Sequence, residues 1–153
     1  MSDINLPEFF PIRNGRLALW HRPSIKSLPR IKAAGCEVVV TLMCAREGGS
    51  EICSAVRFAG LQSMWVPIER ARPLVGKEDE DTRRGIAHIA DKLVLGGCVL
   101  IHCSAGLHRT GMVTIALMKV LGYTKNEALM KLEMLRSRSF EEMTDERLSW
   151  AWR

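Results

Sequence analysis

The chain has 153 residues, 47% of them hydrophobic and 25% charged, the size and makeup of one globular domain that can bury a single core. With 22 basic against 17 acidic residues the formal charge is +5; it is spread without any Lys/Arg-rich block, so it leans only slightly toward anionic partners and is met by a solvated surface. No low-complexity tract and no fixed-period repeat occurs, which excludes a disordered chain and a solenoid.

No apolar run approaches the roughly 18 residues of a membrane span; the longest, near Val94 to Ile101, is broken by Gly96 and Gly97. The start, MSDINLPEFFPIRNGR, carries acids early and lacks the basic-then-apolar layout of a signal peptide, so a cytoplasmic protein is expected. Cys36, Cys44, Cys53, Cys98 and Cys103 form no C-x-x-C pair, and an odd number argues against a disulfide framework. His21, His88, His102 and His108 do not fall at zinc-site spacings with them, so neither metal nor cofactor is expected. Cys36 and Cys98 begin apolar runs and read as small buried hydrophobes.

After a loop-like start, Asn14-Gly15 turns into a strand over 16–21. Ser27 as N-cap, Pro29 in the first turn and Gly35 as stop predict a short helix. EVVVTLM (37–43) is β-branched and continuously apolar, a strand covered on both faces. Gly48-Gly49 leads into a helix from about Ser50 that Gly60 stops, and 63–68 is the next strand. A charged loop over 69–81 follows. Ile86, Ile89, Ala90, Leu93 and Val94 recur at helical spacing between about Asp79 and Leu95. Then come a strand over 98–103, a helix over 109–122, a helix opened by the Thr124/Glu127 capping box, and a last helix over 144–152. Leu129, Met130, Leu132, Met134 and Leu135 supply the packing face of the helix after Thr124. Alternating strands and helices predict an α/β fold, one domain over 1–153 (core about 16–150) with a mainly parallel central sheet flanked by helices.

The chemistry concentrates in HCSAGLHRTG, residues 102–111. A helix that begins where a parallel strand ends offers free N–H groups and the positive end of its dipole to an anion. The small residues Ser104, Ala105 and Gly106 let several N–H groups converge on one phosphate-sized group, and Arg109 adds a guanidinium clamp. Cys103 lies beneath that cradle. A free thiol has a pKa near 8.5, and a helix N-terminus with a nearby cation can lower it into the ~3.5–7.5 range. The field that binds phosphate thereby prepares a nucleophile to attack it.

This segment resembles the signature loop H-C-x5-R-[ST]-G of the cysteine-dependent protein tyrosine and dual-specificity phosphatases, and the element order resembles the small dual-specificity type. The resemblance implies that Cys103 is the nucleophile and Arg109 the transition-state ligand. It further implies that the amides of Ser104, Ala105, Gly106, Leu107, His108 and Arg109 hold the phosphate, Thr110 donates to the Cys103 sulfur and His102 orders the loop. Such enzymes also use an acid about thirty residues upstream. Here WVPIERARP places Arg70 where the related P-I-x-D pattern has its aspartate. Glu69 is the first choice for the acid, with Asp79 and Asp81 behind it. Arg70, Arg72 and Lys77 either meet acidic groups flanking a phosphosite or are simply solvated.

The implied activity is hydrolysis of phosphotyrosine in a protein or peptide, with phosphoserine and phosphothreonine open. The alternatives are an RNA 5′-triphosphate or a phosphoinositide as substrate, or a phosphate-binding module without catalysis. Modest charge and the lack of an aromatic-basic strip weigh against nucleic acid, and the absence of lysine from the loop weighs against inositol lipids.

Overall fold

The computed structural model describes residues 5–153; the first four, part of the N-terminal stretch read above, lie outside the described residues. Five strands form one sheet in the order β1-β2-β5-β3-β4: β1 (Phe10–Ile12), β2 (Gly15–Trp20), β3 (Val38–Thr41), β4 (Gln62–Trp65) and β5 (Cys98–His102). β1 runs antiparallel to β2, and every other pairing is parallel. The expected α/β fold with a mainly parallel sheet is therefore the one observed.

Strand alternation divides the core. Leu17, Leu19, Val38, Val40, Val99 and Ile101 face one side, where α3 (Gly76–Val94), α4 (His108–Val120), α5 (Lys125–Leu135) and α7 (Asp145–Ala151) pack. Ala18, Trp20, Val39 and Leu100 face the other, under α1 (Leu28–Ala33) and α2 (Gly49–Phe58). Cys36 and Cys98 are buried, and burial pushes the Cys36 thiol up to about 12.

Several boundaries differ from the sequence reading. Phe10–Ile12 is a strand, held by the hairpin with β2, where a loop-like start is expected; three residues are too few to show a period. The helix expected from about Asp79 begins at Gly76, so half of the expected 69–81 loop is helical, and Glu78 and Asp79 occupy its first turn, where the dipole favours acids. β4 ends at Trp65, yet Val66 N and Ile68 N still donate to Thr41 O and Leu42 O, so the chain follows β3 as far as Ile68. Ser27 makes no capping bond; Ser24 caps a 3-10 turn at Ile25–Ser27 instead. The Thr124/Glu127 capping box forms as expected. On α5, Leu132 and Leu135 are buried while Met130 and Met134 are exposed. A short additional helix, α6 (Ser137–Glu141), joins α5 to α7.

The sheet fixes where chemistry can occur. β3 and β5 are adjacent, and Thr41 pairs with His102 at their carboxyl ends. The loop from Cys103 to α4 opens just beyond that edge, where parallel sheets place their ligands.

Candidate active site

His102, the last residue of β5, is fully buried. Its Nδ1 faces Cys103 O at 3.2 Å, a group that only accepts, so Nδ1 carries the proton; Nε2 then accepts from Thr41 Oγ1 at 2.8 Å. Burial lowers the ring's pKa to about 4, which keeps it neutral in this role.

Beyond His102 the chain turns through 103–107, and its carbonyls are tied outward. Ser104 O accepts from Arg22 N at 2.9 Å, Ala105 O from Arg136 Nη2 at 2.9 Å, and Gly106 O from Ser139 Oγ at 3.1 Å. A trans peptide points its C=O and the following N–H in opposite directions, so the amides of Ala105, Gly106 and Leu107 face the inside of the loop. Among the described residues, none of these three N–H groups donates a backbone hydrogen bond. Gly106 makes the turn possible: its φ is +73°, and a Cβ there would sit 2.1 Å from Trp20 O.

Cys103 is buried under this loop, and Thr110 Oγ1 donates to its Sγ at 3.1 Å from the first turn of α4. Arg109, beside Thr110, has a side chain only 11% exposed. Its Nη1 and Nη2 donate to Glu47 Oε1 and Oε2 at 2.6 and 2.8 Å, and Nη1 also donates to Ile68 O at 2.8 Å. Glu47 accepts in addition from Cys44 N and Ser104 Oγ, and the Arg109 guanidinium holds its carboxyl well below the usual carboxylate range. Nη2 also lies 3.4 Å from Ser104 Oγ, and the Nε–H of Arg109 has no hydrogen-bond partner among the described residues. The result is a ring of inward amides, a guanidinium and a hydrogen-bonded sulfur around a space suited to a tetrahedral oxyanion.

Cys103, Ser104, Ala105, Gly106, Leu107, Arg109, Thr110 and His102 are thus brought together. The His108 side chain turns to Glu142, with Nε2 2.7 Å from Oε1, while its backbone opens α4 beside Arg109. Glu69 follows Ile68, the residue that touches Arg109, and its carboxylate pairs with Arg46 at 2.8 Å. Asp79 is taken up by the fold, accepting from Trp150 Nε1 at 2.8 Å and Arg83 Nε at 3.0 Å. Asp81 pairs with Lys77 and Arg84 on the exposed side of α3. Arg70 and Arg72 are exposed. The residue that sequence reasoning missed is Glu47. Its signal was a lone acid a few residues beyond the carboxyl end of β3, in CARE, with the spacing of a capping box from Cys44.

The description "tyrosine phosphatase family" belongs to the family model that matches residues 60–148. No curated protein sequence matches the chain. Among solved structures, Tk-PTP in its active form is 25% identical with a TM-score of 0.72, over 92% of this chain and 90% of that one. Kinase associated phosphatase with its catalytic cysteine replaced by serine is 17% identical with a TM-score of 0.72, over 89% and 82%. PTPMT1 in complex with PI(5)P is 17% identical with a TM-score of 0.73, over 94% and 92%. The last two likenesses speak to the fold; the family match spans more than half of the chain and includes the whole loop around Cys103. The chain belongs to the tyrosine phosphatase family, the cysteine-based phosphatases.

Proposed function

We propose that the protein hydrolyses phosphotyrosine in proteins or peptides through a cysteinyl-phosphate intermediate, with phosphoserine and phosphothreonine as further substrates. The observation that carries this reading is the 3.1 Å bond from Thr110 Oγ1 to Cys103 Sγ beneath a loop whose amides and Arg109 converge on one point. The Cys103 thiolate attacks phosphorus, an S–P bond forms, and the P–O bond to the tyrosine oxygen breaks. Arg109 and the loop amides take up the charge that develops on the equatorial oxygens. The leaving oxygen needs a proton, and Glu69 supplies it after swinging away from Arg46. Of the three candidate acids it alone adjoins a residue bonded to Arg109 and is not committed to α3. Water then cleaves the S–P bond, with Thr110 supporting the departing sulfur.

Serine, alanine, leucine and histidine at 104, 105, 107 and 108 add no ammonium group to the cradle, which favours a phosphoprotein over an inositol lipid. The test is phosphate release between pH 5 and 8, in EDTA, from p-nitrophenyl phosphate, a phosphotyrosine peptide and PI(5)P. The expected result is turnover of the first two that vanishes in Cys103→Ser, and an alkaline limb that flattens in Glu69→Gln. Turnover of PI(5)P well above the peptide overturns the substrate class, an unchanged profile in Glu69→Gln removes that residue from the role, and phosphopeptide binding without turnover makes the protein a binding module.

A further inference from the structure

The side of the sheet opposite α3 and α4 carries a second feature, unrelated to the thiol. Phe58, the last residue of α2, is 96% exposed, and Ile25, in the 3-10 turn before α1, is 70% exposed. Between them runs a shallow groove of about 570 Å³ lined by Ile25, Pro29, Ser54, Ala55, Phe58 and Ala59. Isolated exposed apolar residues are ordinary, but two large ones joined by a continuous apolar floor mark a surface that meets something.

Charge says what. Lys26 and Arg30 directly follow the lining residues Ile25 and Pro29 in the chain, Lys32 lies on the same helix as Pro29, and Arg57 directly precedes Phe58, while Glu51 is the one acid on the 3-10 turn, α1 and α2 together. None of the four cations takes part in an ion pair among the described residues. Lys32 extends across to Gly60, so its charge sits at the Phe58 end of the groove, and Arg57 leans on Ser54 in the floor. The partner is therefore anionic with an apolar layer.

We propose that this face docks on an anionic phospholipid bilayer, with Ile25 and Phe58 entering the boundary between headgroups and acyl chains and Lys26, Arg30, Lys32 and Arg57 lying against lipid phosphates and carboxylates. The shape distinguishes a bilayer from an acidic protein helix. A helix-binding groove supplies holes for its partner's side chains, whereas here the large side chains belong to the protein and stand out from a floor of small ones. Knobs of this kind are accommodated by a fluid interface that closes around them, and clustered cations beside them add attraction to anionic lipid. No helix among the described residues is long and apolar enough to span a membrane, so the association is peripheral. Ile25 lies three residues after Arg22, whose amide is bonded to the Cys103 loop at Ser104 O.

The experiment is co-sedimentation of the full chain with vesicles of phosphatidylcholine alone or with about one-third phosphatidylserine, in 0.1 M and 0.5 M NaCl. Binding is expected to require phosphatidylserine, to fall sharply at the higher salt and to weaken roughly tenfold in Phe58→Ser. Charge reversal at Lys26, Arg30 and Arg57 is expected to abolish it. Both variants keep wild-type circular dichroism and wild-type turnover of p-nitrophenyl phosphate in solution, since neither touches the cleft. Binding that survives both variants, or that inorganic phosphate displaces at constant ionic strength, overturns the proposal by locating the contact elsewhere or in the catalytic loop. No vesicle binding, with a synthetic acidic amphipathic peptide bound at Phe58 instead, overturns it in favour of a protein partner.

Discussion

Glu47 holds Arg109 by both terminal nitrogens, at 2.6 and 2.8 Å, and so decides which edge of the guanidinium faces the Cys103 loop. Glu47 is held in turn by Cys44 N and Ser104 Oγ, which makes one carboxylate the link between β3 and the loop after β5. In Glu47→Gln, one of the two charge-assisted bonds is replaced by an amide that cannot accept from both nitrogens. We expect kcat/KM to fall by roughly tenfold to a hundredfold, with most of the loss in kcat because in the proposed mechanism Arg109 acts chiefly on the transition state. Steady-state kinetics on a phosphotyrosine peptide checks this; an unchanged kcat means that Ile68 O and Ser104 Oγ suffice to position Arg109.

Thr110→Val removes the hydroxyl that meets the Cys103 sulfur while keeping the shape of a fully buried side chain. A hydrogen bond to a charged group contributes roughly 1.5–3 kcal/mol, or about tenfold to a hundredfold in rate. The loss should fall on hydrolysis of the phosphoenzyme, where the sulfur departs, so a burst of p-nitrophenol becomes visible in stopped-flow traces. Slow turnover without a burst places the effect on the first step instead.

The buried His102 sets a stability window in pH. Its ring titrates near 4 in the folded protein and near 6.5 when unfolded, so between those values the unfolded chain takes up a proton that the folded one refuses. The contribution is intact above about pH 6.5, is lost as pH falls toward about 4, and amounts to roughly 3 kcal/mol across that interval. Urea midpoints measured at pH 7, 6, 5 and 4 should decline, with a shallower slope in His102→Asn.

Gly106→Ala tests the loop's backbone. A methyl group 2.1 Å from Trp20 O at a φ of +73° cannot be housed without moving the loop off β2. Turnover should drop at least about a hundredfold while circular dichroism keeps its form, because the displacement concerns the amides proposed to hold the phosphate and not the sheet. Wild-type turnover in this variant means that the cradle tolerates a shifted Gly106.

The sequence announced what depends on local pattern. The run from His102 to Gly111 placed the loop, and the β-branched stretch at 38–41 and the Thr124/Glu127 box placed a strand and a helix start. What it hid depends on pairing at a distance. Phe10–Ile12 is a strand only because β2 is beside it, and Gly76 starts a helix with no capping side chain to announce it. Glu47 was unreadable for the same reason: 62 positions separate it from Arg109, and only the β3–β5 register brings them together. Asp79 looked available as an acid because nothing in the sequence shows Trp150 reaching it.

The placing of β5 between β2 and β3 also bears on the order in which the chain assembles. Leu17 meets Val99, and Val38 meets the same residue from the other side, across about 80 and 60 residues of intervening chain, so both contacts wait on large loop closures. Until they form, Cys103 has neither its amide cradle nor the Glu47–Arg109 pair beside it. A nascent or partly folded molecule accordingly carries Cys103 without the groups that surround it in the fold, and the site assembles only with these long-range contacts.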